Sequence, residues 1–173
     1  DTVSGTIMKR TILRIIRYIF KPLGLIPEWV RAVLFFGLTV VSCTIMGAYH
    51  FRANPYASWH DLSQGLFFSV PLLMILLAHE LGHYLMCRQH HISATPPYFI
   101  PFPPSPLFLI PGTLGAFIRI KQPIPDRAAL LEVGAGGPLA GLLVAVPIYI
   151  VGLMTSPIVT MQPESEGLIY LGE

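Results

Sequence analysis

Three long apolar stretches dominate the chain, at Trp29 to Tyr49, Gly65 to Cys87 and Val133 to Met154. Each is long enough to cross roughly 30 Å of hydrocarbon as one α-helix. Aromatic residues near the ends of these stretches suit the headgroup region of a bilayer: they are Trp29, Tyr49, Tyr56, Trp59 and Tyr149. The pattern predicts an all-α polytopic membrane protein with about three transmembrane helices.

Residues 1–28 have a different pattern, in which basic side chains are interleaved with apolar ones. The basic residues there are Lys9, Arg10, Arg14, Arg17 and Lys21. This pattern favours an amphipathic helix that rests on anionic lipid. The alternative is the end of a cytosolic domain. We therefore divide the chain into a basic segment, 1–28, and a membrane-embedded region, 29–173.

Residues 95–121 lie between the second and third apolar stretches and contain seven prolines between Pro96 and Pro111. A solvated polyproline linker is one interpretation. A linker of this kind would expose several large apolar side chains to water, which is unfavourable. The alternative is a segment that dips into the edge of the bilayer, and we favour it for this reason. From Phe117 to Lys121 basic and apolar residues alternate, a pattern typical of a strand. We predict a re-entrant, membrane-associated hairpin.

The composition agrees with a membrane protein, because 53% of residues are hydrophobic and only 12% are charged, against roughly 25% charged in soluble domains. Of the 11 Lys and Arg residues, only Arg52 falls in the loop between the first two stretches, and none follows the third. The positive-inside rule therefore places the N-terminus in the cytoplasm. The two cysteines, Cys43 and Cys87, lie in apolar runs and provide no disulfide framework.

The second stretch contains the motif H-E-x-x-H, although charged side chains inside a membrane helix cost roughly 2.5–3.5 kcal/mol each. Residues four apart share a helical face, so His79 and His83 can hold one zinc ion. Zinc lowers the pKa of water to about 7, and Glu80 can take the proton as general base and return it to a leaving amine as general acid. Gly82, having no side chain, is expected to leave room beside the metal.

A purely structural alternative is that these polar side chains make hydrogen bonds between helices. A catalytic zinc site also needs a third protein ligand. Asp126 and Glu132 are not convincing candidates, and the last three glutamates, Glu164, Glu166 and Glu173, fall on the opposite side of the membrane. Cys87 and His90 continue the helical stripe, but Cys87 lies about 12 Å along the helix from His79.

Three motifs together resemble the site-2 protease family of intramembrane zinc metalloproteases. "AHELGHYL" is similar to the zinc helix of that family, "GTLGAFIRI" to the hairpin beside its active site, and "GAGGPLAG" to the start of its next core helix. The preceding "PPYFIPFP" resembles the cyanobacterial and plastid-type branch or bacterial relatives. From the residues alone, Gly137 and Gly141 allow close helix packing and Pro138 suits a first helical turn.

The resemblance implies a zinc metalloendopeptidase in which His79 and His83 bind Zn²⁺ and Glu80 is catalytic. It also implies that the hairpin residues Gly112, Gly115, Ala116 and Phe117 contact the substrate, where an unpaired edge can accept an extended peptide as an added strand. An ordinary hairpin that covers the helix is the alternative. The third ligand of the family is an aspartate on a later helix, and we expect it in a C-terminal part that this chain lacks.

The resemblance further implies a transmembrane or membrane-anchored protein substrate, regulated intramembrane proteolysis, and no nucleic-acid partner. We expect a bacterial inner membrane, with a thylakoid or other organellar membrane as the alternative. The sequence leaves the oligomeric state open. The rival functions are an inactive protease-like scaffold and a metal or proton transporter component. A soluble zinc protease is a third, weaker candidate.

Overall fold

The computed structural model describes residues 26–105 and 110–156, so the five basic residues of the N-terminal segment and the C-terminal glutamates lie outside it. The described elements are helices α1 (Glu28–His50), α2 (Trp59–Gln64) and α3 (Leu66–Gln89), strands β1 (Tyr98–Pro101) and β2 (Thr113–Phe117), and helix α4 (Arg127–Thr155). In this part of the chain, three helical segments are long and apolar enough to cross a membrane: α1, α2 together with α3, and α4. The three predicted spans are therefore helical.

Helices α1 and α3 approach closely at the end where α1 finishes and α3 begins. A Cβ built on Gly65 would lie 1.9 Å from the carbonyl oxygen of Thr44, so only glycine allows the two backbones to meet there. The Thr44 hydroxyl is also 2.9 Å from the hydroxyl of Ser69, in a buried hydrogen bond between the helices. Such bonds hold membrane helices together.

Strands β1 and β2 form a two-stranded antiparallel sheet within the predicted hairpin segment. Phe99 of β1 is buried against Cys43 of α1 and Leu73 of α3. The Ser42 hydroxyl of α1 donates to the Phe102 carbonyl just after β1. These contacts fix the hairpin against the transmembrane helices. Its association with lipid stays a prediction.

Helix α4 begins earlier than the sequence pattern predicted. The predicted span of about Val133 to Met154 falls inside this helix. The expectation that Pro138 lies in the first helical turn is wrong, because α4 starts at Arg127 and Pro138 lies inside it. The Asp126 carboxylate accepts a hydrogen bond of 2.8 Å from the Ala129 N–H, so Asp126 caps the helix. A cap at this position outweighs the proline signal.

Helices α3 and α4 pack over a row of small residues. A Cβ on Gly82 would lie 2.2 Å from the Gly136 carbonyl oxygen, so the side of Gly82 that we expected to be open beside the metal is filled by α4. Towards the end of α3, Cys87 and Ile92 form a buried cluster with Ala129 and Val133 of α4. This close contact brings the H-E-x-x-H face of α3 against α4.

Candidate active site

The two motif histidines converge on one point of helix α3. Their Nε2 atoms are 3.1 Å apart, and their rings are nearly perpendicular, with an interplanar angle of 78°. Gln89 ends α3 ten residues after His79, which places His79 about 15 Å along the helix from that end. The pair therefore lies well inside the apolar part of the helix. The sequence predicted this pairing from the four-residue spacing.

Helix α4 sets the orientation of His83. The Nδ1 atom of His83 is 2.6 Å from the backbone carbonyl oxygen of Val133, so Nδ1 carries the proton and donates it. The Nε2 atom, which faces His79, then holds a free lone pair. Partners of this kind fix the tautomer and the ring orientation of metal-binding histidines. Nothing in the sequence singled out the Val133 carbonyl, because every residue has one.

Two glycines of "GAGGPLAG" lie directly against the histidines. A Cβ on Gly137 would be 2.1 Å from Nε2 of His83, and a Cβ on Gly141 would be 3.4 Å from Nδ1 of His79. Gly137 therefore makes the room that the His83 ring occupies. The glycine motif was the sequence signal for this contact with His83. From the sequence we had predicted only that the motif allows close helix packing.

Glu80 is buried, with 8% of its surface exposed, and lines a cavity of about 340 Å³. His83 lines the same cavity. The remaining walls are almost entirely apolar and come from β2, the chain that follows it, and the start of α4: Ala116, Phe117, Ile118, Ile120, Ile124, Leu130, Val133 and Gly134. A carboxylate and an imidazole thus share one water-accessible space.

The structure separates the four hairpin residues expected to contact the substrate. Ala116 and Phe117 line the cavity beside Glu80. Gly112 instead packs on α1: its φ of +83° is in the left-handed region, and a Cβ there would lie 2.7 Å from the backbone of Ser42. Gly115, with φ +102°, has open space on its Cβ side. Gly112 therefore anchors the hairpin to α1.

The acidic residues near the motif in sequence have other partners. Asp126 caps α4, and the Glu132 carboxylate is 2.7 Å from Nε2 of His90. Cys87 is fully buried in the cluster between α3 and α4. Within residues 26–105 and 110–156, no group of three or more His, Cys, Asp or Glu side chains could hold a metal ion.

The two histidines nevertheless fit a zinc ion. Two nitrogen ligands at the usual Zn–N distance of 2.0–2.1 Å in a tetrahedral site are about 3.3 Å apart, close to the separation in this structure. The observed separation is 3.1 Å. The hydrogen bond from His83 to Val133 also leaves the correct nitrogen free for a metal. The geometry of the two histidines is thus compatible with two nitrogen ligands of a zinc ion.

A comparison with protein families adds to this geometry. The family model described as Peptidase family M50, the site-2 protease family, matches residues 67–169, more than half of the chain. The chain belongs to peptidase family M50. The matched region includes α3, the hairpin and α4, so the three motifs that carried the resemblance all fall inside it.

Curated relatives of this M50 chain come from plant plastids. One is the "probable zinc metalloprotease EGY1, chloroplastic" of Arabidopsis thaliana, 36% identical over 49% of this chain and 14% of that protein. The EGY2 protein of the same plant, with the same description, is 29% identical over 76% of this chain and 23% of that protein. An EGY1 protein of Oryza sativa subsp. japonica is 30% identical over 75% of this chain and 25% of its own length.

The chain thus spans about a quarter or less of the length of these relatives. No solved structure matches it significantly. The plastid-type resemblance of the sequence is confirmed by these relatives.

Proposed function

We propose that this M50 chain is the core of an intramembrane zinc metalloprotease that hydrolyses peptide bonds of membrane-spanning or membrane-anchored proteins. The observation that carries the proposal is the paired Nε2 atoms of His79 and His83, with His83 oriented by Val133 and with Glu80 adjacent. Family membership and the names of the relatives support the same chemistry.

Zinc, held by His79 and His83, would polarise the scissile carbonyl and make water acidic enough to be deprotonated near neutral pH. Glu80 accepts the proton of the attacking water and returns it to the leaving amine. The carboxylate is suited to this role because it is buried and lines the cavity together with His83. Val133 holds the His83 ring throughout by the bond to Nδ1.

The hairpin is proposed to hold the substrate in an extended form. In the described sheet, β2 pairs with β1 on one side alone, and Ala116 and Phe117 of β2 line the cavity next to Glu80. A peptide that adds to the other edge of β2 would make main-chain hydrogen bonds there, as in other strand-addition complexes. Its backbone would then pass the catalytic carboxylate.

The proposed setting is a bilayer in which the site lies below the lipid surface. Three helices of suitable length and hydropathy and a site about 15 Å along α3 from its end support this setting. The distribution of Lys and Arg residues beside the spans agrees with two settings. One is a bacterial inner membrane with the N-terminus in the cytoplasm, and the other is a thylakoid membrane with the N-terminus in the stroma. The chloroplast location in the names of the relatives supports the organellar alternative.

The test is a cleavage assay on the complete protein reconstituted in lipid vesicles with a library of apolar transmembrane peptides. Glu80→Gln should lower the cleavage rate by about 10²-fold to 10⁴-fold, because the proton acceptor is lost, while bound zinc is kept. Cleavage that is unchanged in Glu80→Gln would refute the role of Glu80. Zinc binding without any peptide cleavage would favour the scaffold or transporter alternatives.

A further inference from the structure

The apolar cavity beside Glu80 is not needed to bind zinc or to move a proton, so it calls for another occupant. We infer that it binds an uncharged aliphatic or aromatic side chain of the substrate, at the residue next to the scissile bond. The inference rests on the proposed protease function and names the substrate feature that the site selects. Its basis is the construction of the cavity wall.

Part of the cavity wall packs against a buried cluster. Ile118 and Ile124, which line the cavity, also pack against the buried cluster of Cys87, Ile92, Ala129 and Val133. Close-packed side chains of this kind do not move aside at low cost. The cavity is therefore shaped before a substrate arrives, as ligand sites usually are.

The rim of the cavity is apolar and exposed. Leu130 of α4 is 56% exposed, Phe117 of β2 is 45% exposed and Ile120 is 37% exposed. A side chain that enters between them would cover these surfaces and gain roughly 25 cal/mol for each Å² of apolar area removed from water. The volume of about 340 Å³ is at the small end of the roughly 300–1,000 Å³ of ligand pockets. One large side chain is a suitable occupant.

The only ionisable groups that line the cavity within the described residues are Glu80 and His83. A substrate carboxylate would lose its water shell and would be repelled by Glu80, and a substrate ammonium group would meet apolar walls elsewhere. Because Glu80 must reach the scissile bond and also lines the cavity, the side chain in the cavity belongs to a residue that flanks that bond. Charged residues are thereby rejected at this position.

The first experiment identifies the residues beside the cut, by mass spectrometry, after the complete protein has cleaved transmembrane peptides with randomised central positions. Leu, Ile, Met or Phe should be favoured over Ala by about 10-fold or more at one flanking position, the usual effect of filling an apolar pocket. Asp and Glu should be nearly absent there. Cleavage without preference at either flanking position would overturn the inference while leaving the proposed protease function intact.

A variant with a matched control sharpens this test. Leu130→Lys places a cation at the rim and should raise the cleavage of peptides with Asp at that position about 10-fold relative to peptides with Leu. Leu131→Lys adds the same charge to the same turn of α4, but Leu131 is 72% exposed and does not line the cavity. In Leu131→Lys, the cleavage of Asp peptides relative to Leu peptides should stay within about 2-fold of its value in the unmodified protein. An equal change in both variants would contradict the inference.

A readout that needs no cleavage separates this inference from the proposed function. A transmembrane peptide that carries photo-reactive leucine at successive central positions is crosslinked to the Glu80→Gln protein. Adducts from one position should fall on Ile118, Ile124 or Leu130, and they should decrease in Leu130→Lys but not in Leu131→Lys. Adducts confined to other surfaces would show that the cavity does not receive a substrate side chain.

Discussion

His83 of α3 and Gly137 of α4 are in contact so close that a side chain on Gly137 would require the His83 ring to move: a Cβ on Gly137 would lie 2.1 Å from the Nε2 atom of His83. The same imidazole is held at Nδ1 by the carbonyl oxygen of Val133, one helical turn earlier on α4. Helix α4 therefore provides both the partner and the space for His83. The site is consequently a property of the α3–α4 contact as well as of the motif.

Gly137→Ala is expected to displace the His83 ring and to weaken zinc binding. The new methyl group would overlap ring atoms that cannot retreat without breaking the bond to Val133. Loss of such an orienting contact typically costs about 10-fold to 100-fold in metal affinity. Zinc affinity measured by competition with a chelator checks this. Gly152→Ala, on the same helix with no atom within 4 Å of the new Cβ, is the control.

Gly141→Ala should behave differently from Gly137→Ala, although both glycines belong to one motif. The new Cβ would be 3.4 Å from the Cβ and Nδ1 atoms of His79, an ordinary contact distance. Zinc affinity should therefore change by no more than about 3-fold, well below the effect of losing an orienting contact. Equal losses in the two variants would mean that the motif acts through general helix packing and not through the His83 contact.

Gly82→Ala tests the packing of α3 on α4 directly. The new Cβ would lie 2.2 Å from the backbone carbonyl oxygen of Gly136, so the helices must separate. Overpacking of this kind lowers the free energy of unfolding by about 1–3 kcal/mol. Denaturant unfolding in mild detergent measures it. Gly37→Ala, which meets nothing within 4 Å, should leave stability unchanged or higher, and a similar loss there would argue against the predicted contact.

Gly112→Ala should reduce peptide cleavage while zinc stays bound. Alanine at φ +83° is strained, and its Cβ would press on the α1 backbone at Ser42, so the hairpin must shift relative to Glu80. A misplacement of about 1 Å can cost about 10²-fold in rate. Cleavage rate and zinc content are measured on the same preparation. Full activity in Gly112→Ala would show that the hairpin position is not needed for cleavage.

The long apolar helices and the pairing of the two motif histidines were predictable from sequence because both depend on local patterns. Long apolar runs specify helices whatever their neighbours are, and a four-residue spacing places His79 and His83 on one face of α3. The start of α4 was harder to predict. Pro138 is a strong helix-start signal, but the Asp126 cap, twelve residues earlier, decided the boundary.

The rest of the site depends on contacts between residues far apart in the chain. The bond from His83 to Val133 crosses fifty residues and uses a backbone oxygen, which has no sequence signature. Gly112 and Ala116 are close in sequence, yet Gly112 meets the α1 backbone at Ser42 and Ala116 lines the cavity with Glu80. Such assignments require the tertiary structure.

The measurement that tests the central claim most directly is the zinc content of the complete protein, purified in detergent, with and without its two histidines. We predict one zinc per chain in the native protein and in His60→Ala, a control at an exposed position on α2. We predict loss of that zinc in both His79→Ala and His83→Ala. Zinc retained in either variant, or no zinc in the native protein when the metal is supplied, would contradict the account.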